Sequence, residues 1–554
     1  MSERAGALTV VLVALAGLAS LLVFAPDYMT ERGFPLDDAW IHAVYARSIS
    51  HSRSLAFNPG IPATGATSPL WPAIVALPHL LSPNTRTLVL STKLIGFGLH
   101  VLTALVIFLA FRDGERPSPE RVLGATLVAF HPDLISASVS GMEIPLATLT
   151  AGGILVAARI PRALPYAVLC AIAPLARPEL TILCYVVPAI LFLRRDHRRL
   201  VTAIGAALAG TLACFGFLAL RNLAVSGRPL PATFYAKVGS GGLPVVAAEF
   251  VGFGDLLGRI PIVDSFILLT ALAVGAVCLA LARRTAPEPA LASAALLSGL
   301  AFCAVSFILI RPFDPFAFYH QRYVLPALPL MVGATPILAR DLLTRTGFAR
   351  AAAVGRVVLS LLLALSLVVT APTRYRFLTN DARNIDDVQV SIGRALAAAS
   401  PQDVVWAVDV GAIRYFGKAF VVDLIGLNEP RILGPSAQTF LEEHPPDFVE
   451  VVPTRSELDG DASRRLRNLS FQTSTIYTVT SFPAMQRHWL VVCDDASVSG
   501  QLRLRAPGRS FAYHCAGSSH RDAGRPVKRI GSINAMPAGT PDVPPGPAAP
   551  REPR

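Results

Sequence analysis

Apolar runs long enough to cross a membrane recur along this chain, and they constrain its fold more than any other feature. The sequence has 554 residues, of which 53% are hydrophobic and only 16% are charged, and its mean hydropathy is +0.52. Soluble domains carry about 25% charged residues, so this composition excludes a large soluble enzyme. Because a spanning helix needs roughly 20 apolar residues, we predict spans at 7–25, 87–111, 121–138, 143–159, 163–177, 179–193, 200–220, 262–282, 289–310, 323–339 and 352–371.

The predicted fold class is therefore mainly α, a polytopic bundle of about eleven transmembrane helices. The segment 68–82 is apolar but interrupted by proline, and we expect a re-entrant or interfacial helix there. The apolar stretch after Arg4 is longer than the core of a signal peptide, and no small-residue cleavage site precedes Pro26. This stretch is therefore interpreted as a retained first span.

Basic residues follow every second predicted span, and this pattern orients the chain. Loops rich in Lys and Arg stay on the cytoplasmic side, so the N-terminus is predicted to be cytoplasmic. The first loop, the region around Gly141, residues 221–261, residues 311–322 and everything beyond about 372 then face outward. The net charge of +12 is explained by these orientation signals, so nucleic acid is not an expected partner.

The composition changes after residue 371. The following part mixes charges and prolines with short β-rich runs such as 403–408, 420–423 and 488–493, which predicts a small α/β domain outside the membrane. The last residues are mostly Pro, Ala, Gly and Arg, a composition typical of disorder. The predicted division is a membrane domain over 1–371, an α/β domain over 372–520 and a disordered tail over 521–554.

The cysteines and histidines show no metal-binding pattern. Most of the seven Cys residues fall inside apolar runs, where they are expected to be small core residues. Cys493 and Cys515 lie in the predicted α/β domain, and a disulfide or two free thiols would both fit the sequence. No ligand spacing demands a divalent metal, so a metal cofactor is left open.

The first outward loop begins with two adjacent carboxylates, Asp37 and Asp38. A charged pair beside hydrocarbon is costly and is kept there mainly for a function. Asp37 follows Pro35 and is a natural N-cap for a helix, and Asp38, His42 and Tyr45 then share one face of that helix. Asp38 is the better candidate for a chemical role, although capping and solvent contact would explain both carboxylates without one.

The other outward loops also hold unusual polar residues. Glu143 begins the fourth span, where a carboxylate favours a helix N-terminus; the functional alternative sets it beside Asp38 across one cavity. Arg177 could pair with Glu179 or bind a lipid phosphate, because a guanidinium matches phosphate geometry. Further candidates are Trp71 in the first loop and Arg221, Tyr235, Lys237 and Arg322 in these loops. Singly, each of these is equally well explained as an interfacial anchor.

Several short motifs resemble one family. They are Leu36-Asp-Asp-Ala-Trp-Ile-His42, Phe57-Asn-Pro-Gly60, Thr67-Ser-Pro-Leu-Trp71, Ser140-Gly-Met-Glu143, Ala176-Arg-Pro-Glu179, Thr233-Phe-Tyr-Ala-Lys237 and Arg322-Tyr323. In this order they resemble the signatures of bacterial GT-C glycosyltransferases, and the nearest branch is that of arabinofuranosyltransferase-like and mannosyltransferase-like proteins. Ala232 and Ile144 depart from the family pattern, which expects Asn and Thr there.

The resemblance implies a membrane bundle with outer juxtamembrane helices in the first loop. It also implies a polyprenyl-phosphate-sugar donor that enters from the lipid, an acceptor glycan or lipid of the cell envelope, and an inverting displacement. The protein would then lie in the bacterial plasma membrane with its C-terminal domain outside, where that domain would bind or orient the acceptor.

The same resemblance implies roles for individual residues. Asp38 would be the general base, with Asp37 as its rival, and Glu143 would position the acceptor or share that role. Cations would face the leaving phosphate. The predicted phosphate contacts are Arg177, Lys237, Arg322 and, less directly, Arg221, and the predicted substrate contacts are His42, Tyr45, Trp71 and Tyr235.

Two other function classes fit the composition. A transporter or flippase of lipid-linked glycans would also be polytopic and basic, but it would place ionisable groups inside the spans. A membrane-anchored glycan-binding protein would use residues 372–520 as its working part. The gathering of the polar candidates in loops of one side favours the transferase.

Overall fold

The computed structural model of this chain describes residues 2–82, 84–114, 116–192, 196–238, 287–310, 322–345 and 349–451, together with five strands between 456 and 515. Long helices make up most of the part before residue 386, and a mixed sheet is the centre of the part after residue 404. The predicted span 262–282, the predicted tail 521–554 and Cys493 lie outside the described residues.

The described part before the sheet contains fifteen helices. They are α1 Glu3–Phe24, α2 Asp37–Ser52, α3 Leu70–Leu81, α4 Thr85–Ala110, α5 Pro119–Phe130, α6 Pro132–Ser138, α7 Ile144–Arg159, α8 Ala163–Ala176, α9 Thr181–Phe192, α10 His197–Ser226, α11 Ala232–Val238, α12 Pro287–Ile310, α13 Leu328–Arg345, α14 Ala349–Ile385 and α15 Ser391–Ala395. Short 3-10 turns at Pro178–Leu180 and Leu325–Ala327 lead into α9 and α13.

Within the described ranges, four helices are long and apolar enough to cross a membrane. They are Glu3–Phe24, Thr85–Ala110, His197–Ser226 and Glu288–Ser306. Shorter apolar helices cover Leu70–Leu81, Ile144–Arg159, Ala163–Ala176 and Pro178–Phe192. A helical membrane bundle is therefore confirmed, whereas the predicted number of about eleven spans stays a prediction.

The span predicted at 121–138 is wrong as a single helix. The chain breaks at His131, so that α5 ends at Phe130 and α6 begins at Pro132. Proline disfavours helical geometry in the residue before it and cannot donate a helical hydrogen bond. The His131 side chain instead accepts a hydrogen bond from the Asp133 N–H at 3.3 Å and caps the second helix.

Helix α14 is longer than the predicted span 352–371 and continues to Ile385. In its first part, Leu365 and Val369 are exposed, as expected for a lipid-facing surface, whereas Tyr375 and Leu378 farther along are buried. The apolar part of the sequence ends near residue 371, but packing against protein stabilises the helix beyond that point. A continuous helix therefore crosses the predicted domain boundary at 371, and a turn of π-helix at Asp386–Val390 follows it.

The sheet has the strand order β4-β3-β5-β8-β7, formed by Phe420–Asp423, Val404–Ala407, Phe448–Val451, Arg487–Val492 and Asn468–Gln472. Strand β3 is parallel to both neighbours, and the remaining pairs are antiparallel. Helix α16 (Gly411–Phe416) connects β3 to β4, and α17 (Ala437–Glu443) precedes β5. A three-stranded sheet of β10 (Arg509–Cys515), β9 (Gly500–Ala506) and β6 (Ser456–Leu458) follows. A hairpin of β1 (Ala56–Asn58) and β2 (Ile61–Pro62) lies in the first loop.

The sheet is attached to the first loop by specific hydrogen bonds. The Asn58 amide donates to the Val421 carbonyl at 2.9 Å and accepts from the Val421 N–H at 3.1 Å. The Tyr45 hydroxyl donates to the side chain of Asn428 at 2.8 Å, and Asn428 itself is bound by Asp423. Because these groups are buried, each bond satisfies a polar atom that would be costly to leave unpaired.

Ion pairs join several helices at the end of the bundle where α1 begins. The Arg121 guanidinium, at the start of α5, binds the Glu3 carboxylate at the start of α1 at 2.7 Å. Arg340 in α13 binds Glu288 at the start of α12 at 2.6 Å. Since α1 begins at this end, the loop that follows it lies at the other end, together with the start of α7.

The buried carboxyl of Asp423 generates a testable pH dependence. Burial raises the pKa of Asp423 to about 6, although N–H groups of Asn428, Gly426 and Ile425 bind it. Because the folded carboxyl binds its proton more tightly than the unfolded one, the wild-type free energy of unfolding should fall as the pH rises through about 6. Asp423→Asn should lower stability by about 1–3 kcal/mol, since its amide group faces N–H donors.

The same substitution should reduce the slope of stability against pH between about 4 and 6. Thermal unfolding in detergent, followed by tryptophan fluorescence, measures both effects. Glu442→Gln, on the exposed side of α17, is the matched control and should keep the wild-type slope. A wild-type slope in Asp423→Asn would show that another group titrates.

Candidate functional site: an ion-pair network at one end of the bundle

The two adjacent carboxylates of α2 point to different partners. The Asp37 carboxylate accepts the N–H groups of Gly411 and Ala412 at 2.6 and 2.8 Å, whereas the Asp38 carboxylate binds the Arg322 guanidinium. The side chain of Asp38 is 28% exposed, but residue Asp37 is only 6% exposed. Solvent or substrate therefore reaches Asp38 more readily than Asp37.

The predicted N-cap role of Asp37 is wrong. The N-cap of α2 is Leu36, which makes no side-chain capping bond, and Asp37 is the first helical residue. Its carboxylate instead binds the start of α16, whose N–H groups would otherwise be buried without an acceptor. Burial, with the nearby Asp409 carboxylate, raises the pKa of Asp37 well above its usual range.

A second acid, Glu143, stands directly before α7 and is 4% exposed. One carboxylate oxygen lies 3.0 Å from Nε2 of His42, and the other binds the Arg177 guanidinium. His42 lies one turn after Asp38 on α2, so that helix presents a carboxylate and an imidazole to the same region. The structure thus brings the first loop, the start of α7 and the end of α8 together.

Arg177 joins the two halves of this cluster. Its guanidinium also binds Glu179 at 3.0 Å and lies 5.1 Å from the centroid of the Tyr323 ring. Arg322 lies 5.0 Å from the same ring and donates to the Tyr323 hydroxyl at 3.0 Å. Both guanidinium groups therefore lie close to one aromatic ring, where cation–π attraction favours both.

We call this set the ion-pair network; its members are Asp38, His42, Glu143, Arg177, Glu179, Arg322 and Tyr323. It contains more carboxylates than guanidinium groups, and most of its side chains are buried. The partly exposed Asp38 can accept a proton from a bound hydroxyl, and the guanidinium groups can bind an anion. The arrangement therefore suits a reaction that removes a proton while negative charge develops nearby.

Three predicted site residues make their polar contacts with other parts of the protein. The Tyr45 hydroxyl donates to Asn428, the Trp71 indole donates to the Gly141 carbonyl at 2.8 Å, and Arg221 donates to the Ala63 carbonyl at 2.8 Å. These contacts fix the first loop and the turn before Glu143. The predicted substrate and phosphate roles of Tyr45, Trp71 and Arg221 stay predictions.

Helix α11 carries the remaining two predicted residues. The Tyr235 hydroxyl accepts the Leu230 N–H at 3.4 Å, and the Arg228 guanidinium lies 5.1 Å from the Tyr235 ring centroid. Lys237 lies in the same short helix, and its side chain is outside the described part. The Ala232 N–H donates to the Thr64 carbonyl at 3.2 Å, which attaches this helix to the first loop.

Sequence reasoning did not assign Tyr323 or Glu179 to the site. Both stood beside assigned arginines, within Arg322-Tyr323 and Ala176-Arg-Pro-Glu179, so the signal was present in the motifs. What was missing was the distance between the two motifs, which only the folded chain supplies. Within the described ranges, no group of three or more His, Cys, Asp or Glu side chains is arranged to hold a metal ion.

The fold is similar to that of an archaeal oligosaccharyltransferase of known structure. A crystal structure of the oligosaccharyltransferase of Archaeoglobus fulgidus, tethered with an acceptor peptide containing the NVT sequon, is 13% identical and has a TM-score of 0.52, covering 81% of this chain and 69% of that chain. At this identity the likeness is one of fold, and it agrees with the GT-C resemblance of the sequence.

Two further solved structures are similar over most of this chain. ArnT from Cupriavidus metallidurans bound to undecaprenyl phosphate is 14% identical, with a TM-score of 0.49 and coverage of 87% of this chain and 97% of that chain. AglB from Archaeoglobus fulgidus in complex with an inhibitory peptide and a dolichol-phosphate is 14% identical, with a TM-score of 0.45 and coverage of 80% and 69%.

A family model described as a domain of unknown function, DUF8728, matches residues 383–506. This range contains the end of α14 and the five-stranded sheet. No curated protein sequence matches the chain. The arabinofuranosyltransferase-like and mannosyltransferase-like branch therefore stays a prediction.

Gly141 determines where the turn before Glu143 lies. It has a φ of +80°, and a Cβ there would lie 2.4 Å from a ring carbon of Phe34. Gly141→Ala should therefore destabilise the protein by about 1–3 kcal/mol and displace Glu143 from His42. Gly98→Ala is the control, because its Cβ would have nothing within 4 Å and alanine favours a helix.

Thermal unfolding of both variants in detergent measures this difference. Gly141→Ala should unfold at a lower temperature than the wild type, and Gly98→Ala at the same or a higher temperature. Equal stability of the two variants would mean that the turn adapts to a side chain at position 141.

Proposed function

We propose that this protein is a membrane glycosyltransferase that moves a sugar from a polyprenyl-phosphate donor to an acceptor on the outer side of the membrane. The observation that carries the proposal is the ion-pair network, which places a partly exposed carboxylate, Asp38, against the Arg322 guanidinium at one end of an apolar helix bundle. The shared fold with an oligosaccharyltransferase agrees with it.

Asp38 acts as the general base. The acceptor hydroxyl attacks the anomeric carbon of the donor, and its proton passes to the Asp38 carboxylate as the new glycosidic bond forms. The bond between the anomeric carbon and the phosphate oxygen breaks with inversion, and polyprenyl phosphate leaves with the electron pair. Asp37 is the weaker candidate, because both of its carboxylate oxygens bind N–H groups of α16.

Arg322 binds the phosphate of the donor. Negative charge grows on the leaving phosphate, so a fixed guanidinium beside it stabilises the transition state. Arg177, which is bound by Glu143 and Glu179 and lies near the same Tyr323 ring, is the second proposed phosphate contact. Lys237 remains a proposed phosphate contact from α11, and Arg221 a weaker one.

Glu143 and His42 position the acceptor beside the base. The two side chains are bonded to each other at 3.0 Å, and His42 follows Asp38 by one helical turn. A buried pair of this kind keeps a fixed direction, so a sugar hydroxyl that reaches it would also reach Asp38.

The proposal also covers the donor sugar, the acceptor and the location of the protein. The donor sugar is a pentose or hexose such as arabinose or mannose, and the acceptor is a cell-envelope glycan or lipid. The protein lies in the bacterial plasma membrane, with the N-terminus in the cytoplasm and the sheet region outside. The motif set of the first loop and the alternation of basic loops support these assignments.

Asp38→Asn should abolish most of the transfer. The amide cannot accept the proton, and loss of a general base costs about 10²–10⁴-fold in rate. The assay follows release of polyprenyl phosphate from polyprenyl-phosphate-linked arabinose and mannose in membranes containing the full-length protein. Glu442→Gln makes the same chemical change at an exposed position and should keep wild-type activity.

Full activity in Asp38→Asn would remove this residue from the mechanism. Movement of the intact donor across the membrane without release of polyprenyl phosphate would instead identify a transporter.

Arg322→Gln should weaken binding of the donor phosphate. A charge-assisted hydrogen bond contributes about 1.5–3 kcal/mol, so the Kd for undecaprenyl phosphate, used as the probe, should rise by about 10- to 100-fold. Arg53→Gln, at the exposed end of α2, is the matched control and should bind as the wild type does. An unchanged Kd in Arg322→Gln would contradict the assignment.

A further inference from the structure

The sheet region contacts α2 at Asn428, which the Tyr45 hydroxyl binds, and along the short helix α16. This helix connects the parallel strands β3 and β4 and lies within the range matched by the family of unknown function. It contacts α2 through Asp37, Trp40, Ile41 and Arg47. Asp38 binds the Arg322 guanidinium instead, so α2 uses separate side chains for the two contacts.

Side chains of α2 bind both ends of α16. Asp37 accepts the N–H groups of Gly411 and Ala412 in the first turn, and Arg47 donates to the carbonyl groups of Tyr415 and Arg414 in the last turn, at 2.6 and 3.2 Å. The terminal N–H and C=O groups of a helix have no partners within the helix. An acid and a base of α2 therefore satisfy opposite ends of the same helix.

The two helices also touch through their backbones. A Cβ at position 411 would lie 2.2 Å from the Asp37 carbonyl oxygen and 2.8 Å from the Ile41 nitrogen, so only glycine fits. The Trp40 ring lies 5.0 Å from Tyr415 and 4.9 Å from Phe416, measured between centroids. The two helices therefore fit together in one register, and moving them apart would break the hydrogen bonds between them.

The helix α16 is itself fixed by the sheet. The Glu450 carboxylate accepts the N–H groups of Val408 and Asp409, which lead from β3 into α16, at 2.9 and 3.0 Å. The Arg414 guanidinium donates to the carbonyl of Gly417 after the helix at 3.0 Å. The surface that α2 contacts is therefore a rigid extension of the strands.

We propose that the sheet region sets the position of α2, so that Asp38 and His42 meet Arg322 and Glu143 in the reactive geometry, with Asp37 and Arg47 as positioning residues. This inference rests on the proposed function, in which Asp38 is the base. Helix α2 belongs to a loop outside the membrane spans and needs support of its own. A displacement of about 1 Å at a reacting group costs about 100-fold in rate.

Two substitutions test the inference in the full-length protein in membranes. Asp37→Asn replaces one of the two oxygens that accept the N–H groups at the start of α16, and Arg47→Gln removes the guanidinium donors to its end. Each should lower kcat by about 10- to 100-fold, while the KM values for donor and acceptor change by less than about twofold. Arg47→Lys keeps a cation and should recover part of the lost kcat.

Hydrogen exchange supplies a readout that needs no turnover. Amides of α2 should exchange faster in Asp37→Asn and Arg47→Gln than in the wild type, whereas amides of α4 and α10 should keep their protection. Arg53→Gln and Glu442→Gln are the controls for the loss of an exposed cation and an exposed carboxylate. Both controls should leave kcat and α2 exchange unchanged.

Several outcomes overturn the inference. Unchanged exchange in α2, or faster exchange with an unchanged kcat, would show that α16 does not position the reacting groups. A raised acceptor KM with an unchanged kcat would assign the sheet region to acceptor binding. If Asp37→Asn fails to fold, Arg47→Gln and Arg47→Lys carry the test, and loss of protection in all helices would show a purely structural role.

Failure of the proposed function is separable from failure of this inference. A wild-type protein that releases no polyprenyl phosphate would refute the transferase, while exchange in α2 would still decide whether α16 holds that helix.

Discussion

The ion pair between Arg177 and Glu143 lies out of water, and the arrangement of the bundle depends on it. An unpaired charge in such a place costs about 3–5 kcal/mol, so the end of α8 and the start of α7 must meet. His42 adds α2 to this junction, and Tyr323 adds the segment before α13. The need to pair buried charges therefore brings four separate parts of the chain together at one end of the bundle.

Helix α2 contributes side chains both to the ion-pair network and to the contact with α16. Asp38 and His42 belong to the ion-pair network, whereas Asp37, Trp40 and Arg47 belong to the contact with α16. Asp37 and Asp38 are neighbours in the sequence, yet their carboxylates differ in burial and in partner. The difference arises because successive residues of a helix point about 100° apart, and each direction meets a different element.

Much of the fold could be predicted from hydropathy, and much less of the site. The apolar runs predicted most of the helices. The run 121–138 did not reveal the break at Pro132. Helix α14 continues beyond its apolar part because contacts with protein replace contacts with lipid. For the site, one-sided placement of polar loops was visible in the sequence. Whether a polar residue there faces a substrate or another protein group was not, as Tyr45, Trp71 and Arg221 illustrate.

The roles of Asp37 and Asp38 could not be separated without distant residues. The partner of Asp37 is Gly411, 374 positions away, and that of Asp38 is Arg322, 284 positions away. No local propensity encodes a contact across such a separation. The motif resemblance named both acids together, and only the three-dimensional contacts give them different environments.

The separation between Asp37 and Gly411 also bears on how the protein matures. Helix α2 leaves the ribosome early, but the N–H groups that bind its first carboxylate arrive only after nearly all membrane helices have been made. Until then the Asp37 carboxylate lacks these donors. Synthesis of α16 thereby completes a contact begun in the first loop, and a chain that ends before residue 411 lacks it.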